Sequence, residues 1–526
     1  MTGVSGNAAP GALAPPPLAD VVPGVPVVPS PRDEPEATVE QRSARGVGWM
    51  GLGQVLRQLV QLGLFVGLAR LLDPRDFGVM ALVLVVTGFA VVIGEMGLES
   101  ALVARRDVTP VDLSTVFWTL LIVNGLLAGA LAALADPIAE LLRAPDLQGV
   151  LVPAAAVFPL TALAVVPRVV CARALRFRPV AVAETGAVVV GGASAVVLAA
   201  TGAGVAALVA QQLVTAGLSA VFLLATAGWR PTMQWRWASL ARCRTLALGV
   251  VGFNSVNYWS RNADNLLVGR VLGAGALGLY QRAYLVLLLP VTQVAQVLGR
   301  VMLSSLSRLQ DDVDRVRALY LRTIGLIALV VTPLMWLAAV LAEPLVRTAF
   351  GPAWLDVVVP MQVLTAVGPL QAVATTVGWI YQARGRADLY FRFGLLAAVA
   401  NVAAIAVGVA LGDITSVAVA YAVMSVGVLF VPTVAVPGRL IDMRVVDVVR
   451  AIGVPLVAGA VMVAAVALVD RGLGDGAPWL RLVLGTATGL VVYVGLLVRL
   501  RSAALSDIHA AMRSRLSRRD APATSL

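Results

Sequence analysis

Fourteen long apolar segments, joined by short loops, follow one another between residues 48 and 498. A helix needs roughly 20 apolar residues to span a membrane. Only 13% of the 526 residues are charged, whereas about 25% are charged in soluble domains. So few charged residues cannot cover all these segments with a water-exposed surface, and lipid is the solvent that suits them. The sequence therefore predicts an all-α polytopic membrane protein with about 14 transmembrane helices.

The segments divide the chain into five parts. We place the helices at 48–69, 78–98, 113–135, 147–167, 180–200, 204–227, 248–269, 277–299, 320–342, 355–381, 390–411, 414–437, 451–469 and 479–498. Residues 1–45 are predicted to be a disordered, Pro-rich cytosolic tail, and residues 501–526 an Arg-rich cytosolic tail. Between the tails we expect an N-terminal lobe (46–245), a C-terminal lobe (246–445) and two further helices (446–500).

The distribution of arginine predicts the orientation of the chain. All 40 basic residues are arginine; with the N-terminus in the cytosol, 21 of them fall in cytosolic loops and seven in outer loops. This bias alternates along the chain, as an even number of helices and two cytosolic termini require. Because the arginines are spread over the loops, the net charge of +11 does not indicate nucleic-acid binding.

An internal repeat relates the two halves of the chain. At an offset of 200 residues, LARLLDPRDFG (68–78) aligns with VGRVLGAGALG (268–278), and each segment ends in glycine. Further along, an offset of 210 residues aligns Arg176 with Arg386. We infer two pseudo-symmetric six-helix lobes followed by two C-terminal helices. Repeated halves are typical of transporters that alternate access by rocking one lobe against the other.

The helices that begin the two lobes carry polar side chains along one face, although each charge in hydrocarbon costs roughly 2.5–3.5 kcal/mol. In the first helix this face consists of Gln54, Arg57, Gln58 and Gln61. In the seventh helix it consists of Asn254, Asn257, Arg261 and Asn265, with Asp264 and Tyr258 adjoining. At the 200-residue offset both faces lie at the same height, which predicts a wet, positively charged cavity between the lobes.

The same residues could instead have purely structural roles. Arg261 and Asp264 are three residues apart on one helix and could neutralise each other. Arg57 could pair with Glu95 or another acid, and polar faces can also hold helices together. Arg282, just inside the eighth helix, could face either the cavity or the membrane interface.

The sequence offers no motif for catalysis or for a bound cofactor. A GxGxxG motif in a strand–helix context, a Walker A motif and HExxH are absent, and two Cys with one His cannot build a dedicated Cys/His metal site. We therefore expect a transporter rather than an enzyme, with no cofactor and no metal. Its energy would come from an ion gradient (proton or sodium), the membrane potential or the substrate gradient.

Four segments resemble one family of membrane transporters. SRNADNLLVGRVLGAGALGLY (260–280) resembles the seventh-helix region of bacterial polysaccharide-export flippases, the Wzx-type transporters of the multidrug/oligosaccharidyl-lipid/polysaccharide exporter superfamily. LARLLDPRDFGVMAL (68–82) is similar to that family's first inter-helix loop, and ALRFRPVAVAE (174–184) and GAGVAALV (202–209) to its fourth-to-sixth helix region. The resemblance covers about residues 45–440.

The resemblance implies a fold and a function. Family members move undecaprenyl-diphosphate-linked oligosaccharide repeat units from the cytosolic to the outer leaflet of the cytoplasmic membrane, for capsule, exopolysaccharide or lipopolysaccharide synthesis. Their two six-helix bundles form a V around a cationic cavity. By this resemblance Arg57, Arg261 and Arg282 would bind the diphosphate. Membrane lipids and the polysaccharide polymerase machinery are the further expected partners.

A lipid-linked oligosaccharide also suits the predicted cavity physically. Its sugar and diphosphate are too polar to cross lipid, whereas its polyprenyl tail must stay there, so a cavity that opens sideways between the lobes can hold the head alone. Arginine binds phosphate through two parallel hydrogen bonds. The sugar hydroxyls would be bound by the remaining polar groups: Gln54, Gln61, Asn254, Asn257 and Tyr258.

Three alternative functions stay open. A lipid II flippase of peptidoglycan synthesis would share the fold and the cationic cavity and differ in the glycan. A multidrug–cation antiporter would need an acidic, aromatic cavity, which the arginines on the first and seventh helices disfavour. A membrane-embedded glycan polymerase or ligase would need a large outer loop, and the predicted outer loops are no longer than about a dozen residues.

Overall fold

The computed structural model describes residues 36–95, 97–105, 108–309, 312–474 and 476–500. Within these ranges the regular secondary structure is entirely helical, with no β-strand. The expectation of an all-α protein is confirmed. Both predicted tails lie largely or wholly outside the described residues.

Fourteen long helices are found in the described ranges, and we number them α1 to α14 in chain order. The first seven are Glu36–Ala69, Pro74–Glu95, Pro110–Ala133, Pro145–Arg173, Phe177–Ala200, Val205–Thr226 and Trp237–Val271. The remaining seven are Gly273–Arg308, Val313–Val340, Pro352–Ala383, Ala387–Ala410, Ile414–Gly438, Val445–Leu473 and Pro478–Arg499. Short, unnumbered helices at the ends of the bundle are Leu98–Ala104, Ala135–Leu141 and Ala342–Ala349.

Thirteen of these helices are long and apolar enough to span a membrane. The other one is α7, whose 35 residues would reach about 50 Å at 1.5 Å per residue. Helix α7 is therefore long enough to span a membrane, and it differs from the other thirteen helices in being less apolar, because of its polar residues between 254 and 265. Every one of the fourteen predicted segments falls on one of the fourteen helices, and the chain is a multi-pass membrane protein.

Large aliphatic side chains are exposed on several of the long helices. Leu126 on α3 is 69% exposed, Leu468 on α13 is 68% exposed and Val491 on α14 is 73% exposed. A soluble protein rarely shows apolar surface of this extent. Lipid tails cover such side chains without cost, so these faces are the outer surface of the bundle.

The turns that follow α4 and α10 have the same backbone geometry. The Arg176 N–H donates to the carbonyl of Cys171 over 2.8 Å, and the Arg386 N–H donates to the carbonyl of Tyr381 over 2.8 Å. The residue before each arginine has a positive φ, 52° in the first turn and 64° in the second. The 210-residue offset seen in the sequence thus relates two structurally equivalent turns.

The two lobes meet where α2 crosses α8. A Cβ atom on Gly78 would collide with the carbonyl of Ala274, and one on Gly278 would collide with the carbonyl of Pro74. These two glycines are equivalent at the 200-residue offset of the repeat. Only a residue without a side chain allows the two backbones to approach this closely at each position.

Loop residues at the same end of the bundle complete the contact between the lobes. The Arg70 Nε donates to the carbonyl of Ala349 over 3.1 Å, and the Trp354 Nε1 donates to the carbonyl of Ala69 over 2.8 Å. Trp354 is fully buried. We call this region the closed end; it comprises residues 69–78, 273–278 and 348–354.

Helix α1 extends into the range that the sequence assigns to the N-terminal tail. Helix α1 begins at Glu36, nine residues before the end of the predicted N-terminal tail at position 45. Pro35 is the last proline of the predicted tail, and most of the residues that follow it are compatible with a helix. The lobe boundaries at 245 and 445 stay a prediction.

Candidate functional site

A cavity of about 1230 Å³ lies among α2, α7, α8, α10, α11 and α12. This exceeds the roughly 300–1,000 Å³ of typical small-molecule pockets. Most of its walls come from helices of the predicted C-terminal lobe, and α2 closes it on the side of the N-terminal lobe. It is therefore large enough for the head group of an extended, branched or oligomeric molecule.

The charged part of the wall comes from α7 and α8. Of the described residues that line the cavity, only Arg261, Asp264 and Arg282 carry a charge. The predicted polar face of α7 reaches the cavity through Asn257, Arg261, Asp264 and Asn265. That face runs along the helix because its members are three or four residues apart.

Arg261 and Asp264 have separate partners. The Arg261 Nε donates to the Asn257 Oδ1 over 3.4 Å. The Asp264 carboxylate accepts the N–H of Asn265 over 2.8 Å and the hydroxyl of Tyr280 over 3.3 Å. Within the described ranges no nitrogen of Arg261 lies within 4.0 Å of a carboxylate oxygen. The sequence left open whether Asp264 neutralises Arg261. In this structure the two side chains do not form a close ion pair.

Arg282 is a buried cation held by aromatic rings. Its side chain lines the cavity although the residue is only 8% exposed. The guanidinium carbon lies 3.7 Å from the ring centre of Phe77, 4.1 Å from that of Phe65 and 5.6 Å from that of Trp354. Each desolvated cation–π contact contributes up to about 2 kcal/mol. Arg282 forms no ion pair with a described carboxylate, so the rings stabilise its charge without neutralising it.

No described residue of α1 lines this cavity. Arg57 donates to the Glu184 Oε2 on α5 over 2.5 Å and also to the Gln54 Oε1. The other carboxylate oxygen of Glu184 lies 3.7 Å from the Arg168 Nε, and Arg168 lies 3.9 Å from Glu99. The sequence left two partners open for Arg57, a diphosphate or an acidic side chain. In this structure the partner is the carboxylate of Glu184.

The remaining candidate residues lie apart from the cavity lining. Gln61 is exposed and Asn254 is half-buried. The Tyr258 hydroxyl donates to backbone carbonyls of α2, at 3.0 Å from the Leu84 oxygen and 2.8 Å from the Val85 oxygen. Tyr258 therefore joins α7 to α2 in this structure, and its hydroxyl is not directed at a sugar.

Sequence reasoning did not find the polar residues that α10 and α11 contribute to the cavity. These are Gln371, Thr375, Trp379 and Gln382 on α10 and Asn401 on α11. The sequence does contain a pattern that indicates them, because the four residues on α10 are spaced by four, four and three positions and so lie on one face of the helix. This pattern was weak, because none of the five is charged.

The sequence model of a family described as "Polysaccharide biosynthesis protein" matches residues 67–359. This range is more than half of the chain, and it includes the closed end, α7 and Arg282. The chain belongs to this family. The resemblance seen in the sequence is thereby confirmed.

Two curated relatives are bacterial proteins of polysaccharide synthesis and transport. The lipopolysaccharide biosynthesis protein WzxC of Escherichia coli (strain K12) is 24% identical over 70% of this chain and 76% of its own length. The succinoglycan biosynthesis transport protein ExoT of Rhizobium meliloti (strain 1021) is 27% identical over 86% of this chain and 92% of its own length.

Solved structures share the fold. The lipid II flippase MurJ in an inward closed conformation has a TM-score of 0.67 and 13% identity, and the match covers 86% of this chain and 98% of MurJ. An inward-facing multidrug resistance MATE family transporter has a TM-score of 0.54 and 15% identity, covering 78% of this chain and 95% of the transporter. At these identities the likeness establishes a two-lobe transporter fold and leaves the substrate to other evidence.

Proposed function

We propose that this family member is a flippase that moves undecaprenyl-diphosphate-linked oligosaccharide repeat units across the cytoplasmic membrane for the synthesis of a cell-surface polysaccharide. The observation that carries the proposal is that Arg261 and Arg282 face one large cavity inside the bundle, and neither is paired with a described carboxylate. Two available guanidinium groups suit a diphosphate, which presents several oxygens to planar donors.

The aromatic surroundings of Arg282 fit a site that must both bind and release an anion. The rings lower the cost of holding the cation out of water, yet they offer no hydrogen-bond acceptor for the guanidinium. An arriving phosphate therefore does not have to displace an acid from Arg282. Arg57 is part of the proposal in a later step, since its guanidinium must first exchange Glu184 for phosphate.

The arginine bias of the loops supports an orientation with both termini in the cytosol. The closed end then lies at the outer face, so the structure corresponds to a state in which the outer side is sealed. Translocation would separate α2 from α8 at the closed end and bring the lobes together at the cytosolic side. A proton or sodium gradient is the proposed energy source, which an ionophore added to energised membrane vesicles would test.

Gene deletion gives the first test. Deleting the gene should stop export of one surface polysaccharide, and its undecaprenyl-diphosphate-linked repeat unit should accumulate in the inner leaflet. Mass spectrometry of the lipid extract identifies that glycan. Accumulation of lipid II instead would identify the protein as a peptidoglycan flippase and overturn the proposal.

Reconstitution gives the second test. Proteoliposomes that carry a fluorescent undecaprenyl-diphosphate-linked sugar should expose all of the lipid to dithionite in the outer medium over time, whereas protein-free liposomes should expose only the outer-leaflet fraction. Heat-denatured protein is the control. Equal exposure with and without active protein would contradict flipping.

A further inference from the structure

One wall of the cavity is polar but uncharged, and the proposed diphosphate site does not use it. We call it the amide wall; it consists of Gln371, Thr375, Trp379, Gln382 and Asn401. The described lining residues of α10, α11 and α12 include no charged side chain. The cavity is therefore divided between a charged part on α7 and α8 and an uncharged part on α10 and α11.

Several hydrogen-bonding atoms of the amide wall have no partner among the described residues. The Asn401 Nδ2 donates to the carbonyl of Ala397 over 2.9 Å, while its Oδ1 is buried and accepts no hydrogen bond. Buried acceptors without a donor are rare in folded proteins. The Gln371 Nε2 donates to the Tyr421 hydroxyl over 2.9 Å, which leaves its own oxygen available. The available oxygen of Gln371 suits a ligand that donates hydrogen bonds from hydroxyl groups.

The internal repeat shows how the space beside the amide wall arises. Gly299 and Gly394 line the cavity, and at the repeat offsets of 200 and 210 they correspond to Glu99 and Glu184. A Cβ atom on Gly394 would meet no atom within 4 Å, and one on Gly299 would lie 3.1 Å from the ring of Trp379. The N-terminal lobe has a carboxylate at each of the two positions. The C-terminal lobe has none, and it leaves the space beside Gly394 open while the ring of Trp379 lies against Gly299.

We propose that the amide wall is a subsite for an uncharged sugar ring of the transported glycan. A sugar ring has an apolar C–H face, which can stack on the indole of Trp379, and equatorial hydroxyls that both donate to and accept from amides. A uronic acid would find no cation in this wall. The inference rests on the proposed function and adds where the sugar binds and which kind of sugar binds there.

The test compares two lipids that differ only in the sugar. The purified protein in nanodiscs is titrated with undecaprenyl diphosphate and with undecaprenyl-diphosphate-linked glucose, and both dissociation constants are measured. The wild-type protein should bind the glucose-bearing lipid about tenfold more tightly, as expected for one stacked ring face and an added hydrogen bond. Undecaprenyl-diphosphate-linked glucuronic acid should lack most of this advantage.

Two substitutions then locate the sugar. Trp379→Leu removes the stacking surface, and Gly394→Gln fills the open space without adding charge. Each should abolish most of the preference for the glucose-bearing lipid and leave the affinity for undecaprenyl diphosphate unchanged. Trp379→Phe should keep part of the preference. The matched controls, Trp479→Leu and Gly453→Gln, change an exposed tryptophan and an unobstructed glycine outside the cavity and should have no effect.

The possible failures are distinguishable. If wild-type protein binds both lipids equally, or if Trp379→Leu weakens both in parallel, the sugar subsite is wrong while the proposed function stands. If glucuronic acid is bound as tightly as glucose, the restriction to uncharged sugars is wrong. If wild-type protein binds neither diphosphate lipid, the proposed function fails, and the subsite fails with it.

Discussion

Arg57 on α1 forms an ion pair with Glu184 on α5, and the same carboxylate lies 3.7 Å from the Nε of Arg168. A carboxylate and a phosphate bind a guanidinium through the same pair of hydrogen bonds. In the proposed function, Glu184 therefore competes with the diphosphate for Arg57. The side chains of Arg57 and Glu184 are 26% and 23% exposed, so neither is fully buried.

Glu184→Gln should release Arg57 for substrate. We expect the affinity for undecaprenyl diphosphate to rise by about three- to tenfold, because the competing carboxylate is gone while the shape of the side chain is kept. Isothermal titration with protein in nanodiscs measures this. Adding Arg57→Ala should remove the gain, and Glu343→Gln, which alters an ion pair with Arg347, is the control. An unchanged or lower affinity in Glu184→Gln would mean that the Arg57–Glu184 pair is only structural.

Arg282→Ala should weaken binding of undecaprenyl diphosphate by about ten- to a hundredfold, because a charge-assisted contact in a desolvated site is lost. Arg282→Lys should recover only part of the affinity, since lysine keeps the charge but not the planar fork. Arg471→Ala, at an exposed position in the last turn of α13, is the control. An affinity for Arg282→Ala equal to that of the wild type would exclude this residue from the diphosphate site.

Arg261→Ala should abolish transport in proteoliposomes while the protein still accumulates in the membrane. Asp264→Ala should not restore it, because Asp264 is bound by Tyr280 and Asn265 rather than by Arg261. Flipping rates of the two single variants and the double variant are compared. A double variant that transports at the wild-type rate would show that Arg261 serves only to neutralise Asp264.

Gly78→Ala and Gly278→Ala should each destabilise the closed end. The added methyl group meets a backbone carbonyl of the other helix, and such overpacking typically costs about 1–3 kcal/mol. Each variant should therefore have a lower Tm in detergent than the wild type. Gly125→Ala, where a Cβ atom meets nothing within 4 Å, should leave the Tm unchanged or raise it. Unaltered stability of both closed-end variants would contradict the close crossing of α2 and α8.

The orientation can be tested with single cysteines in a variant that lacks Cys171 and Cys243. Thr201→Cys, between α5 and α6, should react with an impermeant maleimide added to intact cells. Met233→Cys, which is 88% exposed between α6 and α7, should react only after the membrane is permeabilised. Labelling of Met233→Cys in intact cells would mean that the predicted topology is reversed or that the predicted number of spans before this residue is wrong.

The number and order of the helices were predictable because each depends on residues close together in the sequence. An apolar run of sufficient length specifies a span whatever it packs against. Helix α7 was predictable for the same reason, although Arg261 and its polar neighbours lower its mean hydropathy. The equivalence of the turns at Arg176 and Arg386 was visible in the alignment of the two halves, because a repeated sequence adopts a repeated backbone geometry.

The partners of the charged residues were not predictable in the same way. Arg57 pairs with Glu184, which is 127 residues away, and several other acids were equally available to it in the sequence. Arg282 is surrounded by Phe65, Phe77 and Trp354, which lie on three different helices. Such contacts depend on the relative rotation of packed helices, which side-chain periodicity alone does not determine.

The crossing of α2 and α8 has a consequence for chimeric transporters. Gly78 gives room to the backbone of the helix that carries Gly278, and Gly278 gives room to the helix that carries Gly78. Each half of the repeat thus supplies the glycine that gives room to the backbone of the other half, 200 residues away. A chimera that combines an N-terminal lobe and a C-terminal lobe from different relatives must keep both glycines, because retaining either one alone leaves the joint blocked.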